Sequence, residues 1–358
     1  MSELKKLRVK IDRIDEEILK LLNSRARIVI DVARIKRKEN ASFYSPEREK
    51  EILQRLIAIN KGPFPNSAIK PLFREILSAS LSLEQPLKVA YFGPVATFTH
   101  LAAMRYFGSS ARLIPVEGIK DVFEAVYSGQ TEFGVVPVEN SNEGVVSYTL
   151  DMFMDYDLKI TGEVMLKISH NLLSRSGDKS KIRKIYSHPQ PTAQCRKWLE
   201  RNMPGITIQE ATSTARAAEI ASKDEEAAAI ASEVAAKIYD LHFVERHIED
   251  FKDNFTRFLI ISWEPAKKTG RDKTSIMFST KDRPGALFTI LEPFKQAKIN
   301  LTKIESRPSK RKAWEYIFFV DMEGHVEVKK VKKAIEDVSE SCLYLKILGS
   351  YPAGDTND

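Results

Sequence analysis

Lys88-Val89-Ala90-Tyr91-Phe92-Gly93-Pro94-Val95-Ala96-Thr97-Phe98-Thr99-His100 reads as a short apolar strand, a tight turn and the threonine-capped start of a helix. Free N–H groups at such a helix start can hold an anion. The same order recurs downstream. Phe133 to Val138 is a buried-looking strand ending in Glu139-Asn140-Ser141-Asn142, and Lys184 to Tyr186 ends in Ser187-His188-Pro189-Gln190. Ser213-Thr214-Ala215 opens an alanine-rich helix, and Asn254-Phe255-Thr256-Arg257-Phe258 precedes the strand Leu259 to Ser262. Taken singly, each polar end is explained by capping or turn formation. Strands that alternate with helices and end in polar residues describe an α/β segment, 87–264, with ligands expected at the strand ends. Gln85-Pro86 and the polar run Glu264 to Gly270 mark its borders.

Upstream, residues 1–85 read as nearly pure helix. Leu4, Ile11, Ile18 and Val32 occupy one heptad position, and Leu7, Ile14, Leu21, Ile28 and Ile35 the other. Arg25 fills the gap in the first set, which is expensive unless an anion or hydrogen-bond partner meets it. Arg8 and Lys36 flank the seam. Ser45-Pro46-Glu47-Arg48-Glu49 reads as an N-cap, a first-turn proline and acidic residues favoured by the dipole. Arg48 continues the stripe of Ile52 and Leu56, while Ser80 and Glu84 extend that of Ile69, Phe73, Ile76 and Leu77. Polar groups placed where a simple bundle wants aliphatics suggest a pocket for a small dianion. At 1.5 Å per residue, Arg8 and Arg25 are about 26 Å apart on one helix. If both bind ligand, Arg8 serves a neighbouring antiparallel subunit, so a homodimer or dimer-based oligomer is expected.

Downstream, 272–351 shows strand, helix, strand, strand, helix, strand, a ferredoxin-like order. A plain dimerisation sheet is the bland reading of that segment.

The bulk numbers narrow the classes. Length of 358 residues suits two or three domains. No apolar run spans a bilayer, the N-terminus lacks a signal-like stretch, and Cys195 and Cys342 lie far apart; a cytoplasmic enzyme without membrane partner, structural metal or disulfide is expected. The net charge of +7 is distributed among acidic residues, so small anionic substrates account for it as well as nucleic acid does, and no nucleic-acid partner is expected.

The chain resembles three known families in order. Residues 4–84 are similar to the all-helical chorismate mutase domain. Motif by motif, Arg8 (from the partner), Arg25, Lys36, Arg48, Glu49, Ser80 and Glu84 fall on its substrate-binding positions. Ser45 stands where some members carry Asp. Residues 87–263 resemble prephenate dehydratase through Gly-Pro-x-x-Thr-Phe at 93–98, Pro-Val-Glu-Asn-Ser at 137–141, His170-Asn171-Leu172-Leu173, Ser187 to Gln190 and Thr256-Arg257-Phe258. Departures are Ala96, where Gly is common, and Pro191-Thr192, where Ala-Leu is usual. Gly285-Ala286-Leu287 and Glu305-Ser306-Arg307-Pro308 match the effector motifs of the ACT regulatory domain.

The resemblance implies a multidomain chain. It has an all-α mutase domain, an α/β two-lobed (periplasmic-binding-protein-like) dehydratase domain and an α+β ferredoxin-like ACT domain. It implies conversion of chorismate to prephenate and of prephenate to phenylpyruvate, without cofactor, under feedback by L-phenylalanine. A pericyclic step needs restriction and electrostatic stabilisation. Arginines would clamp carboxylates, Lys36 would donate to the ether oxygen, and Glu84 would help only when protonated. For the dehydratase, Thr256 would donate to the departing hydroxyl and Arg257 hold a carboxylate. Thr97, Asn140, Ser141, Ser213 and Thr214 would line the pocket. His100, His170 and His188 lack metal-ligand spacing and are read as structural. Two rival readings remain, an amino-acid-binding module without turnover and a DNA-binding regulator. The pocket cations with Thr256-Arg257 argue against the first, and the long regular first helix against the second.

Overall fold

The computed structural model describes residues 2–39, 46–84, 86–280, 283–308 and 316–354. Two compact units form, Met1–Lys88 with Phe107–Arg112, and Val89–Tyr106 with Leu113–Asp358.

The first unit holds α1 (Glu3–Glu39), α2 (Pro46–Ile59) and α3 (Asn66–Glu84). Glu3 in the first turn of α1 and Lys36, Arg37 and Lys38 in its last turn complement the helix dipole. The heptad shows what α1 lacks: Leu7, Ile14, Leu21 and Ile28 are 52%, 55%, 70% and 63% exposed. Only Ala33 of α1 is buried.

The second unit continues with β1 (Lys88–Phe92), α4 (Phe98–Phe107), β2 (Arg112–Val116), α5 (Ile119–Tyr127), β3 (Phe133–Asn140), β4 (Gly144–Val145), α6 (Ser147–Asp155) and β5 (Lys159–Lys167). A second lobe follows: β6 (Asn171–Ser174), β7 (Lys184–Ser187), α7 (Pro189–Gln194), α8 (Arg196–Asn202), β8 (Thr207–Glu210), α9 (Thr214–Ala221), β9 (Ala227–Ala231), α10 (Glu233–Ile238) and β10 (His242–Glu245). Then β11 (Phe255–Ser262) returns to the first lobe. The first-lobe sheet runs β2-β1-β3-β11-β5, with β4 on β3, and the second-lobe sheet β10-β6-β9-β7-β8. Alanines build the second lobe's inner core, from Ala215, Ala217 and Ala218 on α9 to Ala227, Ala229 and Ala231 on β9, letting helix and sheet approach closely.

The chain closes with β12 (Asp272–Ser279), α11 (Ala286–Gln296), β13 (Leu301–Pro308), β14 (Tyr316–Glu323), α12 (Lys329–Ser341) and β15 (Tyr344–Pro352) in a sheet ordered β13-β14-β12-β15. This is the ferredoxin-like order read from the sequence. One face of that sheet buries Ile290 and Phe294 of α11 and Val331, Ile335 and Val338 of α12. Its other face sends Met277, Ile317, Phe319, Leu348 and Tyr351 into the same core as Ala90, Val136, Phe153 and Leu259 of the first lobe. At Gly349 the backbones approach so closely that a Cβ would collide with the carbonyl oxygen of Ile160. Among the described residues no helix is long and apolar enough to cross a membrane.

Candidate active sites

In the helical unit, α1 and α3 bring together the polar residues that interrupt their apolar faces. Arg25 donates to Ser80 Oγ, whose own hydroxyl donates to the Ile76 carbonyl at 2.6 Å. About three turns beyond Arg25 along α1, at Lys36, the cation changes from guanidinium to ammonium. Lys36 Nζ lies 3.5 Å from Glu84 Oε2, and Arg37 holds the Glu84 carbonyl at 2.6 Å. Ser80 and Glu84 are buried, at 8% and 9% exposure. On α2, Glu49 is partly buried, and burial pushes its carboxyl up to about 7 against the pull of Arg74. Arg48 is exposed and pairs with Glu51 at 3.0 Å. Arg8 is exposed, on the stretch of α1 far from Arg25. Ser45 lies outside the described residues.

Between the two lobes of the second unit lies a cavity of about 1090 Å³. Thr97, Asn140, Ser213, Thr214 and Thr256 all line it. The chain places them by capping and register. Thr97 Oγ1 accepts the His100 N–H at 3.3 Å and starts α4; Ser213 accepts the Arg216 N–H at 3.0 Å and starts α9. Thr256 on β11 stands opposite Asn140 on β3, and Asn140 Nδ2 donates to Thr256 Oγ1 at 2.8 Å. A hydroxyl that accepts there keeps its own proton for another acceptor. Ala96, fully buried beside Thr97, has φ of 73°, the left-handed value glycine takes freely.

Comparison with known proteins shows the family of the chain. Residues 7–85 match the model of chorismate mutase type II, 89–266 that of prephenate dehydratase and 274–340 that of the ACT domain. A bifunctional chorismate mutase/prephenate dehydratase of Aquifex aeolicus is 54% identical over 98% of both chains. That of Pseudomonas aeruginosa is 47% identical, again over 98% of each. The chain belongs to the bifunctional chorismate mutase/prephenate dehydratase family. It is an enzyme with both activities. A solved prephenate dehydratase from Arthrobacter aurescens, in complex with L-Phe, is 33% identical; it covers 75% of this chain and 91% of its own, with a TM-score of 0.70.

Two expected pocket residues of the dehydratase lie elsewhere. Ser141 clasps a neighbouring segment instead: its Oγ takes the Phe255 N–H at 3.0 Å and reaches the Asp253 carbonyl at 3.2 Å. Arg257 was expected to hold a substrate carboxylate, but successive residues of a strand face opposite sides. With Thr256 on the cavity, Arg257 turns away into the contact with the ACT sheet. There Nε meets Glu163 at 2.7 Å, Nη1 meets Asp321 at 2.5 Å and Nη2 meets the Tyr351 hydroxyl at 2.9 Å. Burial opposes the charge of Arg257, yet Tyr351, Asp321 and Glu163 together hold the guanidinium well above its ordinary range. Burial pushes Asp321 up as well, but Arg257 and the Ser275 hydroxyl overcome it and hold this carboxyl below its ordinary range. Lys273 to Glu163 at 2.7 Å and Lys303 to Glu139 at 2.8 Å extend the cluster.

Some cavity residues escaped the motifs. Among the described residues Arg216 is the one Lys or Arg that lines it, and it pairs with Glu219 at 2.7 Å. Its signal was its place in the first turn of a capped helix facing a pocket. His170 and His188 line the cavity too. His100 instead accepts the Ala96 N–H at 3.3 Å and packs on Tyr91, with its pKa lowered by burial.

In the ACT domain, Gly285 takes φ of 78° and starts α11, with open space where a Cβ would stand. Ala286 is buried, and Leu287 packs against the domain core. Glu305 to Pro308 lie on edge strand β13, with Glu305 and Arg307 turned inward and Ser306 and Pro308 exposed. Arg307 reaches Asp151 on α6 at 3.1 Å.

Proposed function

We propose that the helical unit rearranges chorismate to prephenate within a homodimer, and that the cleft aromatises prephenate to phenylpyruvate under feedback by L-phenylalanine. The mutase reading rests on Arg25 with Ser80 and on Lys36 with Glu84. The first pair offers donors to a carboxylate, and the second brings an ammonium and a carboxyl to within reach of one ether oxygen. Protonated, Glu84 donates there; ionised, it only accepts. Arg48 and Glu49 would complete the site on the α2 side, with Ser45 near the substrate hydroxyl. The dimer is supported by the exposed seam of α1, which a second antiparallel copy would cover while bringing its own Arg8 to this site.

In the cleft, the observation that carries the reading is the Asn140–Thr256 hydrogen bond. With its lone pair engaged, the Thr256 hydroxyl is free to give its proton to the departing hydroxyl of prephenate as CO₂ leaves. Carboxylate binding falls to Arg216 and the N-termini of α4 and α9, since Arg257 faces the other way. Regulation is supported by the ACT match, by the effector-type segments at 285–287 and 305–308, and by the relative that was solved with L-Phe. The domain borders we propose are 1–85, 87–264 and 272–351, and the compartment the cytosol.

Purified chain supplied with chorismate tests the whole reading. Phenylpyruvate is expected to follow prephenate, and phenylalanine to suppress only the second step. Prephenate accumulating alone would overturn the assignment of the cleft, and equal rates with and without phenylalanine that of the effector.

A further inference from the structure

Thr256 ends a chain of side-chain amides that runs from β11 to α7. Asn140 Oδ1 accepts the backbone N–H groups of Asn142 at 3.0 Å and Glu143 at 3.1 Å, which fixes which end of its amide is oxygen. Its nitrogen then donates both to Thr256 Oγ1 at 2.8 Å and to Asn254 Oδ1 at 2.7 Å. Asn254 Nδ2 donates in turn to Gln194 Oε1 at 3.1 Å, and Gln194 Nε2 donates to the Glu143 carboxylate at 2.7 Å. A carboxylate only accepts, so the polarity is fixed at the far end also. His170 Nε2 gives its proton to the same Gln194 oxygen at 2.7 Å. The ring's Nδ1 is left as a buried lone pair with no hydrogen-bond partner among the described residues. Burial lowers the pKa of His170, which favours the neutral ring, and the Gln194 oxygen selects the tautomer protonated at Nε2.

Asn254 and His170 are each 1% exposed, so the centre of the network carries the cost of burying polar groups. The network has a single polarity, and it ends on the hydroxyl that faces the cavity.

We propose that Gln194 and Asn254 are positioning residues of the dehydratase, which act through Asn140 to hold Thr256 as an acceptor and so aim its one proton into the cavity. The inference rests on Thr256 as the proton donor. Gln194 belongs to the second lobe, whereas Asn140 and Thr256 belong to the first. The relay therefore closes only when the lobes stand as they do here, so donor orientation depends on lobe position.

Gln194→Glu and Asn254→Asp test it with almost unchanged shape. Protonated, the new carboxyl at 194 donates to Glu143 and accepts from Asn254 and His170, as the amide does. Ionised, it faces Glu143 with like charge. Glu249, which accepts the His170 N–H at 2.9 Å, and Asp250, whose N–H meets the Gln194 carbonyl at 2.8 Å, add to that repulsion, and His170 and His188 oppose it only when protonated. At 254, the ionised form loses the donor that Gln194 needs. We expect the kcat for prephenate in both variants to fall about tenfold or more at about pH 8, with KM little changed, and to recover toward about pH 6. The uncatalysed loss of prephenate is subtracted at each pH. A calorimetric trace of the dehydratase–ACT unit that matches the parent certifies folding, and chorismate turnover in the same samples stays at the parent rate. Recovery with acid in either variant supports the relay. Parent-like kcat at about pH 8 in both, or kcat lowered by one factor at every pH in both, overturns it. Thr256→Val, assayed beside them, separates the two ideas. If it keeps parent activity, the donor reading itself fails; if it is inactive while both relay variants show flat profiles, only the relay fails.

Discussion

The guanidinium of Arg257 lies 2.5 Å from the carboxylate of Asp321, joining the strand that carries Thr256 to β14, a central strand of the ACT sheet. The hydroxyls of Ser275 and Tyr351 support the pair, with Ser275 Oγ at 2.5 Å from Asp321 and 2.6 Å from the Tyr351 hydroxyl, and Glu163 is a third buried charge on the guanidinium. Removing one partner strands the other in a dry contact, at a cost of about 3–5 kcal/mol. Arg257→Ala is therefore expected to lower the thermal midpoint of the dehydratase–ACT unit strongly. Arg257→Lys should rescue little, because one ammonium cannot address Glu163, Asp321 and Tyr351 together. A calorimetric trace matching the parent in either variant contradicts this.

The same pair sets an acid limit. Asp321 titrates lower in the folded chain than in the unfolded one, so the stability it contributes is complete above the ordinary carboxylate range. As pH falls through the folded value, that contribution is lost. Acid unfolding followed by circular dichroism should show a weaker pH dependence in Asp321→Asn than in the parent. Parallel curves would mean that the pair does not govern the limit.

Glu49 shifts in the opposite direction. With its carboxyl raised to about 7, folding favours the protonated form, so stability is lost as pH rises from the ordinary carboxylate range through that value. Glu49→Gln is expected to raise the melting temperature of the helical unit at about pH 8 and to leave it unchanged at about pH 4. Equal shifts at both pH values would point to packing instead.

Gly349 marks where β15 and β5 touch backbone to backbone. In Gly349→Ala the methyl would meet Ile160 at 2.1 Å from its carbonyl oxygen, so the strands must part. Overpacking of this kind costs about 1–3 kcal/mol. We expect lower stability of the dehydratase–ACT unit with chorismate turnover intact. A melting curve unchanged from the parent would show that the contact is slack.

The seam of α1 gives a test of assembly. Leu21→Glu puts a charge on a side chain that is 70% exposed in a single copy and is expected to be covered in the dimer. Analytical ultracentrifugation should show a shift toward monomer, with mutase activity falling and dehydratase activity retained. A monomer with full mutase activity would exclude the partner-donated Arg8.

The sequence made the helical unit legible because heptad spacing and charge placement are local signals. Arg25 was conspicuous as a cation in an apolar seam, and Ser80 was found on the matching face of α3. The ferredoxin-like order and Thr256 were legible too, the latter through its motif. Arg257 misled because a motif names neighbours in sequence, whereas the alternation of a strand sends them to opposite faces. Its partners, Glu163, Asp321 and Tyr351, come from three other strands, and no local pattern joins them. Gln194 and Asn254 escaped for the same reason, since 60 positions separate two residues whose side chains share a hydrogen bond.

The facing of β11 has a consequence for how this segment can change. Thr256 and Arg257 occupy alternate faces of one strand, so a single inserted or deleted residue between Asn254 and Phe258 would exchange them. It would turn a guanidinium into the cleft and a hydroxyl into the ACT contact. Substitution at either position harms one task and leaves the other in place. A change of length harms both at once, so the two tasks depend on the spacing of this stretch together and on its side chains separately.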